Sequence, residues 1–174
     1  MREHEYARAF SKFAQNSAER GFYAPINILW MNSIETGNSE QADRLMKNYL
    51  ADQPKIMFNS TLETARDRKD EAIVLNLLKS LADSKVSETA LGAVHSCLID
   101  VYCLKQKYDE ALNAVNNTIK DVCLENVNRS SPLKVKNGLE AAGKTFPHKI
   151  PDKKKKNAAD SSSSSSSSDD EVKK

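Results

Sequence analysis

The sequence is poor in everything that builds strands, staples or membrane spans. Among 174 residues there are five glycines and five prolines, and aromatics make up only 6%. Turn signals that sparse argue against an architecture of many short strands. Three cysteines, Cys97, Cys103 and Cys123, form no CxxC pair and are odd in number, which argues against a disulfide framework and for a reducing compartment. No apolar run approaches membrane-spanning length, so no membrane partner is expected. The opening MREHEYARAF carries Glu3 and Glu5 and reads as neither a signal nor a transit peptide. There is no HExxH, P-loop or GxGxxG pattern, and His4, His95 and His148 stand far apart, so no metal, cofactor or catalytic residue is expected. Cys97 and Cys103 read as small helix-packing residues rather than nucleophiles. Asp100 reads as a carboxylate on the polar face of their helix, with no partner in view for acid–base work.

What is present is helical pattern and an uneven charge. Residues 1–150 hold 20 Lys/Arg against 19 Asp/Glu, a nearly neutral body, whereas Lys134 to Lys156 include eight Lys and only Glu140 and Asp152 in opposition. Residues 152–174, with four consecutive lysines, eight consecutive serines and an acidic cluster, have too little apolar surface to offset the entropy of ordering and are expected to be a disordered tail. The serines followed by Asp169, Asp170 and Glu171 would suit an acid-directed kinase; a solubilising tail is the plainer reading.

In residues 1–151 apolar stripes recur at helical spacing. Tyr6, Phe10, Phe13 and Ser17 share one face; Ile26, Leu29, Trp30 and Ile34 form a second, ended by Gly37. Ala42, Leu45, Met46, Tyr49 and Leu50 form a third, with Ser39 as the expected N-cap. Phe58, Leu62 and Ala65 start a fourth after Pro54, and Val74, Leu77, Leu78 and Leu81 follow a polar RDRKD turn. Val94, Leu98, Val101 and Tyr102 lead through Lys105–Lys107 to Tyr108, Ala111, Leu112, Val115 and Ile119. A last helix is expected from Ser131 to Ala142, with Gly143 beyond its end. The pattern predicts about eight helices and no strand.

Short residues recur where second helices of pairs would begin. Ala7 and Ala42 are 35 apart, Ala42 and Ala111 are 69 apart, and Ala72 lies between them, out of step. Such self-similarity marks a repeat array. HSCLIDVYCLKQKYDEALNAV, His95 to Val115, resembles the pentatricopeptide repeat through Leu98, Ile99, Tyr102, Cys103, Tyr108, Glu110, Ala111 and Leu112. INILWMNSIETGNSEQADRLM, Ile26 to Met46, resembles it through Asn27, Leu29, Gly37 and Ala42. A tetratricopeptide repeat would want a bulky aromatic and Gly early in the first helix, which SCLIDVY lacks. VCLENVNRSSPLKVKNGLEAAGKTFPHKIP and the serine-acid tail are similar to the C-terminal end of animal leucine-rich pentatricopeptide-motif proteins, mitochondrial messenger-RNA stability factors. The chain opens in what reads as the second helix of a pair. It is therefore expected to be a terminal piece or short relative of a longer array, with an open apolar face at its start.

The resemblance implies an all-α, right-handed α-solenoid of antiparallel helix hairpins over residues 1–151. It implies binding of single-stranded RNA along one face, about one base per repeat, a small RNA-recognition-motif protein as partner, and a mitochondrial location. The base-reading positions correspond to Asn27 and Ser96, with Asn126 as a second reader; the middle pair offers only Met57. Lys134, Lys136, Lys144 and Lys149, together with Lys153–Lys156, are the candidate phosphate contacts. The alternative is a protein-interaction scaffold without RNA contact, for which Phe22, Tyr23 and Trp30 are the expected exposed apolar side chains.

Overall fold

The computed structural model describes residues 2–53 and 55–152, with side chains from residue 5 onward. The expected tail therefore lies outside the described residues apart from Asp152. All regular structure among the described residues is helical: α1 (Arg2–Glu19), α2 (Tyr23–Glu35), α3 (Ser39–Leu45), α4 (Asn59–Arg68), α5 (Glu71–Leu81), α6 (Glu88–Leu104), α7 (Tyr108–Asp121) and α8 (Ser130–Ala141). A π turn, Met46–Leu50, prolongs α3, and a 3-10 turn, Leu124–Asn126, precedes α8. Among these residues no helix is long and apolar enough to cross a membrane.

Local chemistry sets the helix ends. The Asn38, Asp70 and Ser87 side chains accept the Gln41, Ala72 and Ala90 amides and so cap α3, α5 and α6; each satisfies an amide that the first helical turn leaves unpaired. The cap of α3 is thus Asn38, and the expected cap Ser39 is the first helical residue. Pro25 and Pro132 lie in the first turns of α2 and α8, where a missing N–H costs no helical bond. Gly143 ends α8 at φ +74, as its placement predicts. Lys69 and Gln106 take the same left-handed backbone without being glycine. α4 accordingly runs through Arg66, Asp67 and Arg68 and turns only at Lys69, later than the RDRKD pattern suggests.

Packing follows chain order. α2 packs on α1, on α3 with its π turn, and on α4 and α5; α4 packs on α5 and α6; α6 packs on α5, α7 and α8. The even-numbered helices thus touch in succession, with the odd ones beside them. Trp30 is completely buried and its indole N–H donates to Ser80 Oγ at 2.9 Å, which ties α2 to α5. Ile26, Ile34, Met46, Leu50, Leu77 and Leu81 are also fully buried, as are Val94, Ile99, Val101 and Leu139 toward the other end. Each contributes roughly 1.5–3 kcal/mol of burial.

Two of the four short residues occupy the close approaches expected of them: Ala42 and Ala111 are 0% exposed. Ala7 and Ala72 are exposed. At Ala72, Ile73 and Val74 take the buried positions instead, because the second pair is shorter. The even helices begin at 23, 59, 88 and 130, so no single spacing keeps every alanine in register. The open apolar face expected on the first helix is present, with Tyr6 77% and Phe13 49% exposed.

Candidate nucleic-acid interface

An Asn or Ser that reads a base must present free polar atoms. Asn27 does not: it is 3% exposed, its Nδ2 donates to the Met57 carbonyl at 2.6 Å, and its Oδ1 accepts the Met57 amide at 2.9 Å. The side chain mimics a strand partner for the segment leading into α4, and both ends of the amide are used. Ser96 is 1% exposed; its hydroxyl donates to the Gly92 carbonyl at 2.6 Å and accepts the Asn128 amide at 2.8 Å, just before α8. Each residue therefore clasps the backbone that enters the next even-numbered helix. Asn126 is half-buried, with Nδ2 donating to Glu88 Oε2 at 3.0 Å. Its backbone carbonyl lies so close to Gly92 that any Cβ there would overlap it. Asn27 and Ser96 are thus buried and hydrogen-bonded within the protein, and a buried polar group is retained for the partner it already has.

The tethering role of Asn27 has a direct test. Asn27→Ala leaves both Met57 backbone groups without their partner and is expected to cost about 1–2 kcal/mol, measured by urea unfolding. A surface reader would be replaced at almost no cost to stability, so an unchanged midpoint would restore Asn27 to the candidate readers.

The lysines are mostly engaged as well. Lys134 Nζ lies 2.8 Å from Asp100 Oδ1, Lys144 Nζ lies 2.8 and 2.7 Å from the two Asp109 oxygens, and Lys136 Nζ lies 3.8 Å from Glu140 on the same helix. Lys149 has no hydrogen bond or ion pair among the described residues. It lines a groove of about 580 Å³ with Leu124, Glu125, Val127, Arg129, Pro151 and Asp152. Arg129 Nε donates to the Pro151 carbonyl at 2.9 Å, which holds the end of the described chain against the entry to α8. Lys153–Lys156 lie outside the described residues.

Asp100 is the least expected member of this region. It is 7% exposed rather than solvated, and it sits between Arg66 Nε of α4 at 3.6 Å and Lys134 Nζ of α8. One carboxylate thus joins three successive even-numbered helices. Cys97 and Cys103 line the same helix, and burial pushes both thiols up to about 11. At neutral pH they are protonated and weakly nucleophilic. Cys97 Sγ donates to the Leu62 carbonyl at 3.4 Å. No group of three His, Cys, Asp or Glu side chains among the described residues is placed to hold a metal ion.

His95 is a buried imidazole with a displaced titration. Burial lowers its pKa, and the nearby Asp121 carboxylate, 3.7 Å from Nε2, opposes that only in part. Thr118 Oγ1 donates to the Ala114 carbonyl at 2.7 Å, so its 3.2 Å contact with His95 Nδ1 requires the ring to donate there. The unfolded chain then binds a proton more readily than the folded one. Stability from this group is complete above the unfolded pKa of about 6.5 and declines as pH falls below it toward the lower folded value. The thermal midpoint is expected to drop between about pH 7 and pH 5.5, with a shallower drop in His95→Gln. Parallel curves for the two proteins would assign the pH dependence to other groups.

Of the expected exposed apolar candidates, only Phe22 stands well out, at 65%; Tyr23 is half-buried against the core and Trp30 is inside it. Ile28 and Met57, not among those apolar candidates, are 57% and 54% exposed. No protein-family model, curated protein or solved structure matches the chain.

Proposed function

We propose that this chain is a pentatricopeptide-like segment, a right-handed α-solenoid of helix hairpins. In this reading it binds single-stranded RNA by phosphate contact at its basic end and serves mitochondrial messenger-RNA stability, polyadenylation and translation beside a small RNA-recognition-motif partner. The observation that carries the repeat reading is the recurrence of cross-helix tethers at near-constant separation. Asp100 pairs with Arg66 and Lys134, each 34 residues away, Lys105 pairs with Glu71 at 34, and Lys144 pairs with Asp109 at 35. Equivalent contacts that far apart are what stacking of similar units produces. RNA contact falls to Lys149 and Lys153–Lys156, because Asn27 and Ser96 are committed inside the protein and the body is close to neutral. Affinity by phosphate neutralisation alone is independent of base sequence and steeply salt-dependent.

The test is binding of the full chain to labelled single-stranded RNA across a salt series. Charge-neutralising changes at Lys149 and Lys153–Lys156 are expected to abolish most of the affinity and flatten the log–log salt slope by about 3.5, at roughly 0.7 per lost contact. Absence of binding at low salt would end the RNA reading for this chain. The exposed Tyr6, Phe13, Phe22 and Ile28 favour the second reading, a protein-interaction scaffold, whose association would be insensitive to salt.

A further inference from the structure

Among the described residues, nothing covers one apolar face of α1. Phe10, Ala14 and Ser17 turn toward the core, whereas Tyr6, Ala9 and Phe13 are exposed on the adjoining strip of the helix. Their spacing, i, i+3 and i+7, is that of a seam between two paired helices. Tyr6, Ala9, Phe10 and Phe13 also line a groove of about 480 Å³ with Leu29 of α2 and Gln41 of α3. Glu5 and Lys12 flank the strip; being seven residues apart, they stand on one side of the helix, two turns from each other. Both are exposed, and neither has an ion-pair partner among the described residues. The other end of the stack differs. There Phe146 packs on the core, Arg129 holds the Pro151 carbonyl, and among the described residues no large apolar side chain after Ile119 is exposed.

We propose that this face joins two copies of this chain through antiparallel α1 helices, related by a two-fold axis that passes near Ala9. Symmetry and charge select that occupant. The α8 end has no exposed large apolar side chain to receive Tyr6 and Phe13, so head-to-tail stacking of copies lacks complementarity. A face paired with itself closes as a dimer. With the axis near Ala9, Tyr6 of one copy lies level with Phe13 of the other to within one residue's rise, about 1.5 Å. The same operation sets Glu5 of one copy level with Lys12 of the other, twice, on the same side of the seam. A parallel pair would instead set Glu5 level with Glu5 and Lys12 level with Lys12, where like charges repel. Burial of the aromatic pairs supplies the attraction, and the two exposed ion pairs fix direction more than they add affinity. One helix face is a small interface, so the dissociation constant is expected on the order of 10–100 µM.

The experiment is sedimentation equilibrium of the full chain over about 5–500 µM, which brackets that constant. The expected result is a monomer–dimer equilibrium. Tyr6→Ser with Phe13→Ser is expected to weaken association at least about ten-fold while the circular dichroism stays that of the parent. Glu5→Lys and Lys12→Glu alone are each expected to weaken it about three- to ten-fold, because each brings like charges together on both sides of the axis. The double variant, Glu5→Lys with Lys12→Glu, exchanges the two charges and is expected to restore the parent affinity. A monomer at every concentration, the result if this face serves a different protein, overturns the proposal. So does a dimer indifferent to Tyr6 and Phe13, or a double variant no tighter than the single ones. The readout is mass, so the dimer stands or falls apart from RNA binding at the basic end.

Discussion

Replacing Trp30 by Ala is expected to destabilise the protein by about 3–5 kcal/mol, the range for deleting a large buried aromatic. That loss is a large part of the stability of a chain this size. Trp30 is completely buried between α2 and α5, and its indole is the hydrogen-bond donor to Ser80, itself 6% exposed. Two costs therefore combine: the cavity left by the ring and a buried hydroxyl without its donor. Trp30→Phe separates them, keeping most of the apolar volume while removing the N–H, and is expected to fall between the parent and the Ala variant. Urea unfolding followed by circular dichroism reads all three. An Ala variant within about 1 kcal/mol of the parent would mean that the α2–α5 junction does not limit stability.

The second large effect is expected from removing both cations around Asp100. Arg66→Ala with Lys134→Ala leaves a carboxylate whose side chain is 9% exposed without either charged partner. The expected cost is about 3 kcal/mol, the lower end of the range for breaking a buried pair, because Arg66 and Lys134 are themselves partly exposed. The reverse change, Asp100→Ala, is expected to cost about 1 kcal/mol, since the two long cationic side chains can turn to water. That asymmetry is the signature of a buried anion. Equal losses from the two sides would place Asp100 in solvent contact, where the pairs contribute little.

Much of the helical order was legible from residue pattern. The stripes at Ile26, Trp30 and Ile34, at Val74, Leu77 and Leu81, and at Ala111 and Val115 lie on buried faces, because periodic apolar side chains have no other low-energy arrangement in a helix. Gly143 was legible for a local reason too, the left-handed backbone past the end of α8. Cap identity shifted by one residue from Ser39 to Asn38, since both types satisfy the same amides and only the backbone trajectory chooses between them.

Side-chain roles were less legible where two distant segments meet. Asn27 and Ser96 look like surface readers in one dimension, and their consumption by the Met57 and Asn128 backbones depends on where the next even-numbered helix begins. Asp100 reads as a solvated carboxylate on a polar face until α4 and α8 close over it. A trace of that arrangement was available: Arg66, Asp100 and Lys134 are spaced by 34 residues each, with alternating charge. The alanine spacing of 35 pointed near this period, although Ala7 and Ala72 lay outside the packed positions.

By itself the sequence determined that the body is helical, where most helices run, and that its basic charge gathers toward the C-terminal end; these follow from short-range periodicity and composition. Only the tertiary structure decided which polar residues are spent as tethers between helices and which remain for a partner. Burial and hydrogen-bond partnership belong to pairs of residues about twenty to fifty positions apart, and no single helix encodes them.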